Sequence, residues 1–302
     1  MDDVVIRALA ERDVERAGDV DFVAFQDATL RHGAAPTVTT PADCRSYVRH
    51  LLAFDPLGGV VAEVGGEVVG LGWVHLRGPV ATVGPLAVDP AHQGRGVGRR
   101  LLERCLELAG PRTPQVRLVQ ESFNVGSLGL YLKRGFRVVS PLLEFELAAR
   151  SAVAVPAPPA GLVVRAAVAA DRARLVDRDA RAFGAPRPQS IDLYLERGRA
   201  LVAERGTALA GYALGIGLRG HGYLGSASAE DARLLVALLA GLASSLSAGG
   251  LRLRALAPAT DRRLVDGLLG LGFRVAKACQ YMVRGGGTAP PPNYVLMNGD
   301  MM

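Results

Sequence analysis

Apolar and polar positions along the first half of the chain follow two periods. Short apolar or alternating runs between turn residues predict strands, whereas apolar positions three and four residues apart predict helices. The predicted strands lie near 4–9, 59–64, 67–77, 80–88, 115–121 and 136–147. The predicted helices lie near 12–30, 41–54, 96–110 and 126–134. This mixture predicts an α/β (α+β) fold, in which helices flank a mixed, mostly antiparallel sheet.

Three segments of the second half repeat segments of the first half in the same order. The matching segments are 4–13 with 163–172, 62–74 with 203–215, and 133–139 with 270–276. The spacing between partners shrinks along the chain, as expected if the second copy lost helix and loop residues. Three matches in one order favour a duplicated domain over chance similarity.

Proline and glycine mark the boundaries between the repeats. Residues 149–161 (ARSAVAVPAPPAG) carry three prolines among small residues, which is typical of an extended linker. The final stretch holds a glycine triplet and a proline triplet, although its Tyr294–Met297 run can dock as a short strand. The predicted organisation is a first domain at 1–148, a linker at 149–161, a second domain at 162–284 and a Gly/Pro-rich tail at 285–302.

Composition agrees with two globular domains. The chain has 302 residues, 49% hydrophobic and 21% charged, unlike disordered or collagen-like chains. The net charge is +6 and the excess lies in the second half: residues 1–150 carry 17 basic and 18 acidic side chains, whereas 151–302 carry 18 and 11. Scattered arginines, few aromatics and no RNP or helix-turn-helix motif mean that no nucleic-acid partner is expected. At most, the charge points to an anionic acceptor or partner for the second half.

Several kinds of site are not expected. Cys44, Cys105 and Cys279 show no CxxC or Cys/His ligand spacing, so we expect no metal site and free thiols in a reducing cytoplasm. The longest uncharged stretch, Leu234–Leu251, contains glycines and serines and places its leucines on one face, which predicts a buried helix and no membrane contact. The N-terminal residues do not resemble a signal peptide. We expect a cytoplasmic monomer or homodimer.

The most informative motif joins a strand to a helix at GPLAVDPAHQGRGVGRRLLERCLELAG, residues 84–110. The strand ends at Val88, and glycines at alternate positions, 94, 96 and 98, then lead into the helix. Such glycines allow a tight turn, and the amides and dipole of the helix N-terminus favour an anion. Arginines on the loop and first helical turns reach further phosphates. The segment therefore predicts a pyrophosphate-binding loop, although neither a Walker loop nor a dinucleotide fingerprint is present.

A second motif identifies the kind of site. The run Gln93–Gly98 reads QGRGVG, and Asn124 is followed by Tyr131 seven residues later and then by Gly135 and Phe136. This combination resembles the GNAT superfamily of acyl-CoA N-acyltransferases, whose signatures are (Q/R)xxGx(G/A) after the fourth strand and Asn, Tyr and GF after the fifth.

The resemblance covers about residues 4–148 and implies acetyl-CoA as co-substrate and an amine as acceptor. In the family, loop amides hold the pyrophosphate, the fourth strand holds the pantetheine arm and the thioester carbonyl, and the Asn–Ser turn lies beside the arm. The implied cofactor-binding residues are Leu86, Ala87, Val88, Gln93, Gly94, Arg95, Gly96, Val97, Gly98, Arg99, Asn124 and Ser127.

The resemblance implies one catalytic side chain and leaves another open. Tyr131 lies near the sulfur in the family, and a tyrosine, with an ordinary pKa of about 10, suits protonation of the leaving thiolate. The fourth strand, ATVGPLAV, lacks the glutamate that many members use as a base. Glu121, His75 or a water chain remain as alternatives for the base.

The second half lacks the phosphate-binding motif. At the corresponding place Glu230 and Asp231 precede the helix, and such carboxylates stabilise a helix N-terminus but repel phosphate. The sequence thus predicts an N-acetyltransferase with one active site, in the first domain, and a degenerate second domain. The alternative, motivated by the missing glutamate, is a non-catalytic acyl-CoA-binding regulatory or scaffold protein.

Overall fold

The computed structural model describes residues 4–34, 38–111, 113–218 and 220–296. The chain divides into two compact units. The first unit runs to Arg137 and includes Val283–Gly287, and the second comprises Val138–Met282 and the described residues from Thr288 onward. Helices flank a largely antiparallel sheet, which confirms the predicted fold class.

The first unit has five strands in the order β1-β2-β3-β4-β5. Neighbouring strands are antiparallel except β4 and β5, which are parallel. The strands are β1 (Val5–Ala8), β2 (Gly59–Val64), β3 (Glu67–Arg77), β4 (Val80–Val88) and β5 (Gln115–Glu121). The helices are α1 (Val14–Arg31), α2 (Pro41–Phe54), α3 (Val97–Ala109) and α4 (Val125–Leu132). Every helix and strand predicted for this region is present, with ends that differ from the prediction by at most two residues.

Helix α3, which follows the glycine-rich loop, is held by one apolar face. Leu101, Leu102 and Cys105 are fully buried, at the three- and four-residue spacing that the sequence shows. Burial raises the pKa of the Cys105 thiol to about 12, so this cysteine is a core residue and not a nucleophile. Packing of this face against β3 fixes the N-terminus of α3 beside the end of β4.

The second unit repeats these elements and adds three strands. Its sheet has the order β12-β6-β11-β10-β9-β8-β7, and β13 pairs with β10. The strands are β6 (Arg137–Leu147), β7 (Val163–Ala166), β8 (Arg199–Arg205), β9 (Ala208–Leu218), β10 (His221–Ala229), β11 (Arg252–Pro258), β12 (Arg274–Gly285) and β13 (Tyr294–Val295). The helices are α5 (Arg172–Phe183), α6 (Pro188–Arg197), α7 (Ala232–Ala248) and α8 (Arg262–Gly270).

The last strand of the first repeat lies in the second unit. Strand β6 pairs antiparallel with β11, for example Phe145 with Ala255. The compact units therefore meet in the sequence at 137–138, while the boundary at 148 between repeats remains a prediction. Residues 151–159 of the predicted linker have no regular secondary structure. The tail strand predicted near 294–297 is present as β13, and Met297 lies outside the described residues.

Both units carry the same ion-pair motif at their first strand. The arginine of β1, Arg7, donates to the carboxylate of a residue six positions later at 2.6 and 2.9 Å, and the arginine of β7, Arg165, does so at 2.7 and 2.8 Å. The acceptors are Asp13 and Asp171, and a second carboxylate is supplied by Glu63 and Glu204 respectively. The matching geometry supports the duplication inferred from the sequence.

The predicted buried helix at 234–251 is α7, which forms the centre of the second core. Its leucines pack against the sheet with Phe145, Leu253 and Phe273. In the part of the chain that the structure describes, no helix has both the length and the apolar character needed to cross a membrane.

Candidate active site

A cleft of about 740 Å³ opens in the first unit where β4 and β5 separate. Their parallel pairing runs from Val80 with Gln115 to Thr82 with Arg117. Beyond this pairing, β4 continues to Val88 and lines one side of the cleft. The lining residues are Leu86, Val88, Gln93, Gly94, Gly96, Val97, Gly98, Arg99, Asn124, Val125, Gly126, Ser127, Gly129, Leu130, Tyr131, Lys133 and Arg134.

The glycine-rich loop forms one end of the cleft and leaves helix amides uncapped. Gly94 and Gly96 have φ angles of +75° and +84°, a left-handed conformation that favours glycine. Gly96 is the N-cap of α3, and no side chain caps this helix. The Gln93 side chain donates from Nε2 to the Val88 carbonyl at 3.0 Å, which ties the loop to β4. The loop thus presents helix amides to the cleft, as an anion site requires.

The opposite wall is the N-terminal part of α4. Asn124 caps this helix, since its Oδ1 accepts a hydrogen bond from the Ser127 amide at 3.1 Å. Ser127 Oγ donates in turn to the Asn124 carbonyl at 2.9 Å. One turn further, Tyr131 is 8% exposed, and its ring packs edge-on against Phe136 at 5.9 Å. The Asn-to-Tyr spacing therefore places three polar side chains along one wall.

The structure brings eleven of the thirteen predicted site residues to this cleft and leaves two outside. Ala87 is 3% exposed and pairs with Leu71 of β3, so its side chain lies in the core. Arg95 is exposed and does not line the cleft. That the other residues bind a cofactor remains a prediction, although their convergence is a fact of the fold.

Two lining residues were missed by the sequence argument. Lys133 and Arg134, at the end of α4, line the cleft with Arg99 of α3. Glu103 pairs with Arg134 at 2.7 Å and approaches Arg99 at 3.9 Å, which holds the two arginines near each other. The adjacent basic pair after Tyr131 was the available signal. None of the residues that line the cleft is acidic, so the cleft is suited to an anionic ligand.

His75, one candidate base, is engaged inside the first unit. It is 1% exposed, its Nδ1 contacts the Asp55 carboxylate, and its Nε2 lies 3.0 Å from the Gly84 carbonyl oxygen. Burial raises the pKa of Asp55, but hydrogen bonds from His75 and Arg77 outweigh it and hold that pKa below its usual value. With both ring nitrogens occupied, His75 is a structural residue. Glu121 is half-buried and does not line the cleft.

The second unit handles the same connection differently. Eight residues, 89–96, join β4 to α3, whereas two residues, Glu230 and Asp231, join β10 to α7. Asp231 caps α7 by accepting from the Leu234 amide at 2.9 Å. Among the described residues of either unit, no cluster of three or more His, Cys, Asp or Glu side chains is arranged to hold a metal ion.

Both halves of the sequence match models of acetyltransferases. Residues 29–136 match the Acetyltransferase (GNAT) family, and residues 175–296 match the Acetyltransferase (GNAT) domain. In a mycothiol acetyltransferase of Streptomyces bingchenggensis, 38% of 86 aligned residues are identical, over 28% of this chain and 28% of that protein. An uncharacterized N-acetyltransferase of Archaeoglobus fulgidus is 33% identical over 103 residues, covering 32% of this chain and 70% of that protein. The chain thus spans less than a third of the mycothiol enzyme that it matches.

Solved structures share the fold across nearly the whole chain. A GCN5-related N-acetyltransferase from Sphaerobacter thermophilus superposes with a TM-score of 0.68 at 18% identity, over 96% of each chain. A tandem GNAT protein from the clavulanic acid biosynthesis pathway superposes with a TM-score of 0.63 at 19% identity, over 95% of this chain and 99% of that one. Together with the matched motifs, these findings show that the chain belongs to the GNAT family of acetyltransferases and carries two GNAT domains in tandem.

Proposed function

We propose that the protein is an N-acetyltransferase with one active site, in the cleft of the first unit, that moves an acetyl group from acetyl-CoA to a primary amine. The observation that carries the proposal is the convergence of the glycine-rich loop, the end of β4 and the Asn124–Tyr131 wall on one cleft. Family membership and the acetyltransferase relatives support the reaction class.

The residues present fit acetyl-CoA. Uncapped amides at the start of α3 and the cations Arg99, Lys133 and Arg134 suit its phosphates, and no acidic side chain lines the cleft to oppose them. The open edge of β4 at Leu86 and Val88 offers backbone groups to the amide-containing pantetheine arm. Acetyl-CoA supplies the activated acyl group as a thioester.

The remaining roles fall to this chain's own residues. Tyr131 holds a proton at its phenol oxygen for the departing thiolate, in a largely buried position on the cleft wall. Because His75 is engaged and Glu121 lies outside the cleft, a water chain is the remaining candidate for removing the proton of the amine.

Two measurements test the proposal. Calorimetry should give one acetyl-CoA site per chain, and thiol detection should show CoA release with members of an amine panel of amino sugars, polyamines and peptide N-termini. Tyr131→Phe keeps the packing on Phe136 and should lower kcat by about 100-fold without weakening acetyl-CoA binding. Two equivalent sites would contradict the one-site proposal. Tight binding without turnover on any amine would favour the regulatory or scaffold alternative.

A further inference from the structure

Gln120, near the end of β5, is a buried amide outside the set of predicted site residues. It is 2% exposed and does not line the cleft. Its side chain contacts the start of α4, where Asn124 is the N-cap and Ser127 lies in the first helical turn. A polar side chain buried behind the cleft wall needs a physical reason, because burial of an amide is unfavourable unless its hydrogen bonds are made.

The amide nitrogen of Gln120, which carries two hydrogens, lies within hydrogen-bond distance of three oxygens around the start of α4. Nε2 donates to the carbonyl oxygens of Glu121 and of Asn124, the latter at 2.7 Å, and reaches Ser127 Oγ at 3.2 Å. The Glu121 carbonyl also accepts from the Asn124 amide at 2.9 Å, which closes the turn. One side chain of β5 therefore holds both polar residues that the start of α4 presents to the cleft.

The other end of the same amide is not satisfied within the chain. Oε1 of Gln120 is buried and has no hydrogen-bond partner among the described residues. Because the nitrogen faces the three oxygens, the buried oxygen of the same amide is left unpaired. An unpaired buried acceptor lowers the stability of the fold, so stability alone does not explain a glutamine here. A leucine or methionine would fill the same space without that penalty, so the donor function toward the turn is the feature that distinguishes glutamine here.

We propose that Gln120 is a positioning residue for acyl-CoA binding. Its carboxamide fixes Asn124 and Ser127 against the cleft and so sets the affinity for acetyl-CoA without contacting the reacting atoms. The inference rests on the proposed function of the cleft, because it assigns Gln120 to the binding of the same ligand.

Gln120→Glu is the most direct test, because it keeps the shape and replaces the donor nitrogen by an oxygen that faces the carbonyl oxygens of Glu121 and Asn124. At neutral pH we expect the Kd and KM for acetyl-CoA to rise about tenfold or more, with kcat and the KM for the amine nearly unchanged. As the pH falls and the new carboxyl group gains a proton, it regains a donor, so the Kd should move back toward that of the wild type. The wild-type Kd should not show this recovery.

A matched control lies on the same strand. Gln115 is at the other end of β5, and its Oε1 accepts from Arg117 at 2.7 Å. Gln115→Glu makes the same chemical change away from the turn and should leave the Kd for acetyl-CoA unchanged. If Gln120→Glu does not fold, Gln120→Met removes the donor at similar volume without adding charge and should still raise the Kd.

The outcomes separate the two proposals. An unchanged Kd in folded Gln120→Glu or Gln120→Met overturns the positioning role, as does an equal loss of affinity in Gln115→Glu. If the wild type binds acetyl-CoA but acetylates no amine, the reaction proposed above fails while a weaker Kd in the Gln120 variants still supports positioning. A wild type that does not bind acetyl-CoA overturns both.

Discussion

The corresponding helices α3 and α7 of the two units have different N-termini. Helix α3 follows an eight-residue loop, begins at the left-handed Gly96 and has no side-chain cap, whereas α7 follows a two-residue connection and is capped by Asp231. Backbone amides at a helix start need a partner. In the second unit the chain supplies that partner itself, and in the first unit the amides remain available to a ligand.

The strand gap shows the same contrast. In the first unit the parallel pairing of β4 and β5 ends at Thr82 with Arg117, before β4 itself ends. In the second unit the parallel pairing of β10 and β11 likewise ends early, at Leu224 with Ala255. Beyond this point the tail lies between the two strands. Strand β13 pairs with β10 at Ala227 and Ser228, and Leu296 forms a bridge with Leu256 of β11. A strand of the protein thus fills the place that is a cleft in the first unit.

A buried polar network holds this tail strand. The Tyr294 hydroxyl lies 3.2 Å from both Arg187 Nη2 and Ser226 Oγ, and Arg187 forms a bidentate pair with Asp179 at 2.6 and 2.9 Å. Asp179 and Arg187 are each at most 1% exposed. Two copies of one fold therefore differ by whether their free backbone groups are satisfied by the chain or left for a ligand.

The largest effect is expected on breaking the network of the second unit. Arg187→Met leaves Asp179 buried without its cation and should lower the free energy of unfolding by about 3–5 kcal/mol. Urea denaturation, with hydrogen exchange at β13, measures the loss. The Kd for acetyl-CoA of the folded protein should stay unchanged, and a loss below about 1 kcal/mol would contradict the role given to this pair.

The second prediction concerns a substitution at the uncapped N-terminus of α3. Gly96→Val places a branched side chain at a φ of +84°, which should cost about 1–2 kcal/mol of stability and raise the Kd for acetyl-CoA about tenfold or more. Gly66, in the β2–β3 turn with a φ of +86° and open space around it, is the matched control. Gly66→Val should cost similar stability and leave the Kd unchanged. Equal Kd values for the two variants would show that the loop does not bind the ligand.

The third prediction tests the basic rim of the cleft. Lys133→Ala combined with Arg134→Ala should raise the Kd for acetyl-CoA by about three- to tenfold at low ionic strength and less at high salt, because these charges are partly exposed. Arg104, which pairs with Glu107 at 2.9 Å on the exposed side of α3, provides the control. Arg104→Ala should leave the Kd nearly unchanged. A salt-independent effect would argue against phosphate contacts.

The smallest effect concerns a feature that the two units share. Hydrogen bonding to Arg165 lowers the pKa of Asp171 to about 2, and hydrogen bonding to Arg7 lowers the pKa of Asp13. A lowered pKa stabilises the fold above the unfolded value of about 3.9, and this stability is lost as the pH falls toward about 2. Asp171→Asn and Asp13→Asn should each cost about 1 kcal/mol at neutral pH, a difference that shrinks below pH 4 in urea titrations. A pH-independent difference, or one found in only one unit, would contradict the shared role.

Local patterns predicted most of the fold and most of the candidate site. The helices and strands were predicted from the spacing of apolar residues. The loop at Gln93–Gly98 was predicted from its closely spaced glycines, which allow a tight turn. Asn124 and Tyr131 were found because their spacing resembles a GNAT signature, and one short helix carries that spacing in the fold. Lys133, Arg134 and Gln120 were missed because their roles depend on which neighbouring element each side chain faces.

By itself, the sequence determined the duplicated fold, the family and the motifs of the first repeat, because each is encoded over short stretches of chain. Only the tertiary structure decided that β6 lies in the second unit and that the tail strand β13 fills the gap between β10 and β11. It also decided that Gln120 supports the start of α4 beside the cleft of the first unit. These features join residues far apart in the sequence, or depend on burial. Buried backbone and polar groups need hydrogen-bond partners, and when the partners are distant in the sequence only the folded chain shows which groups lie together.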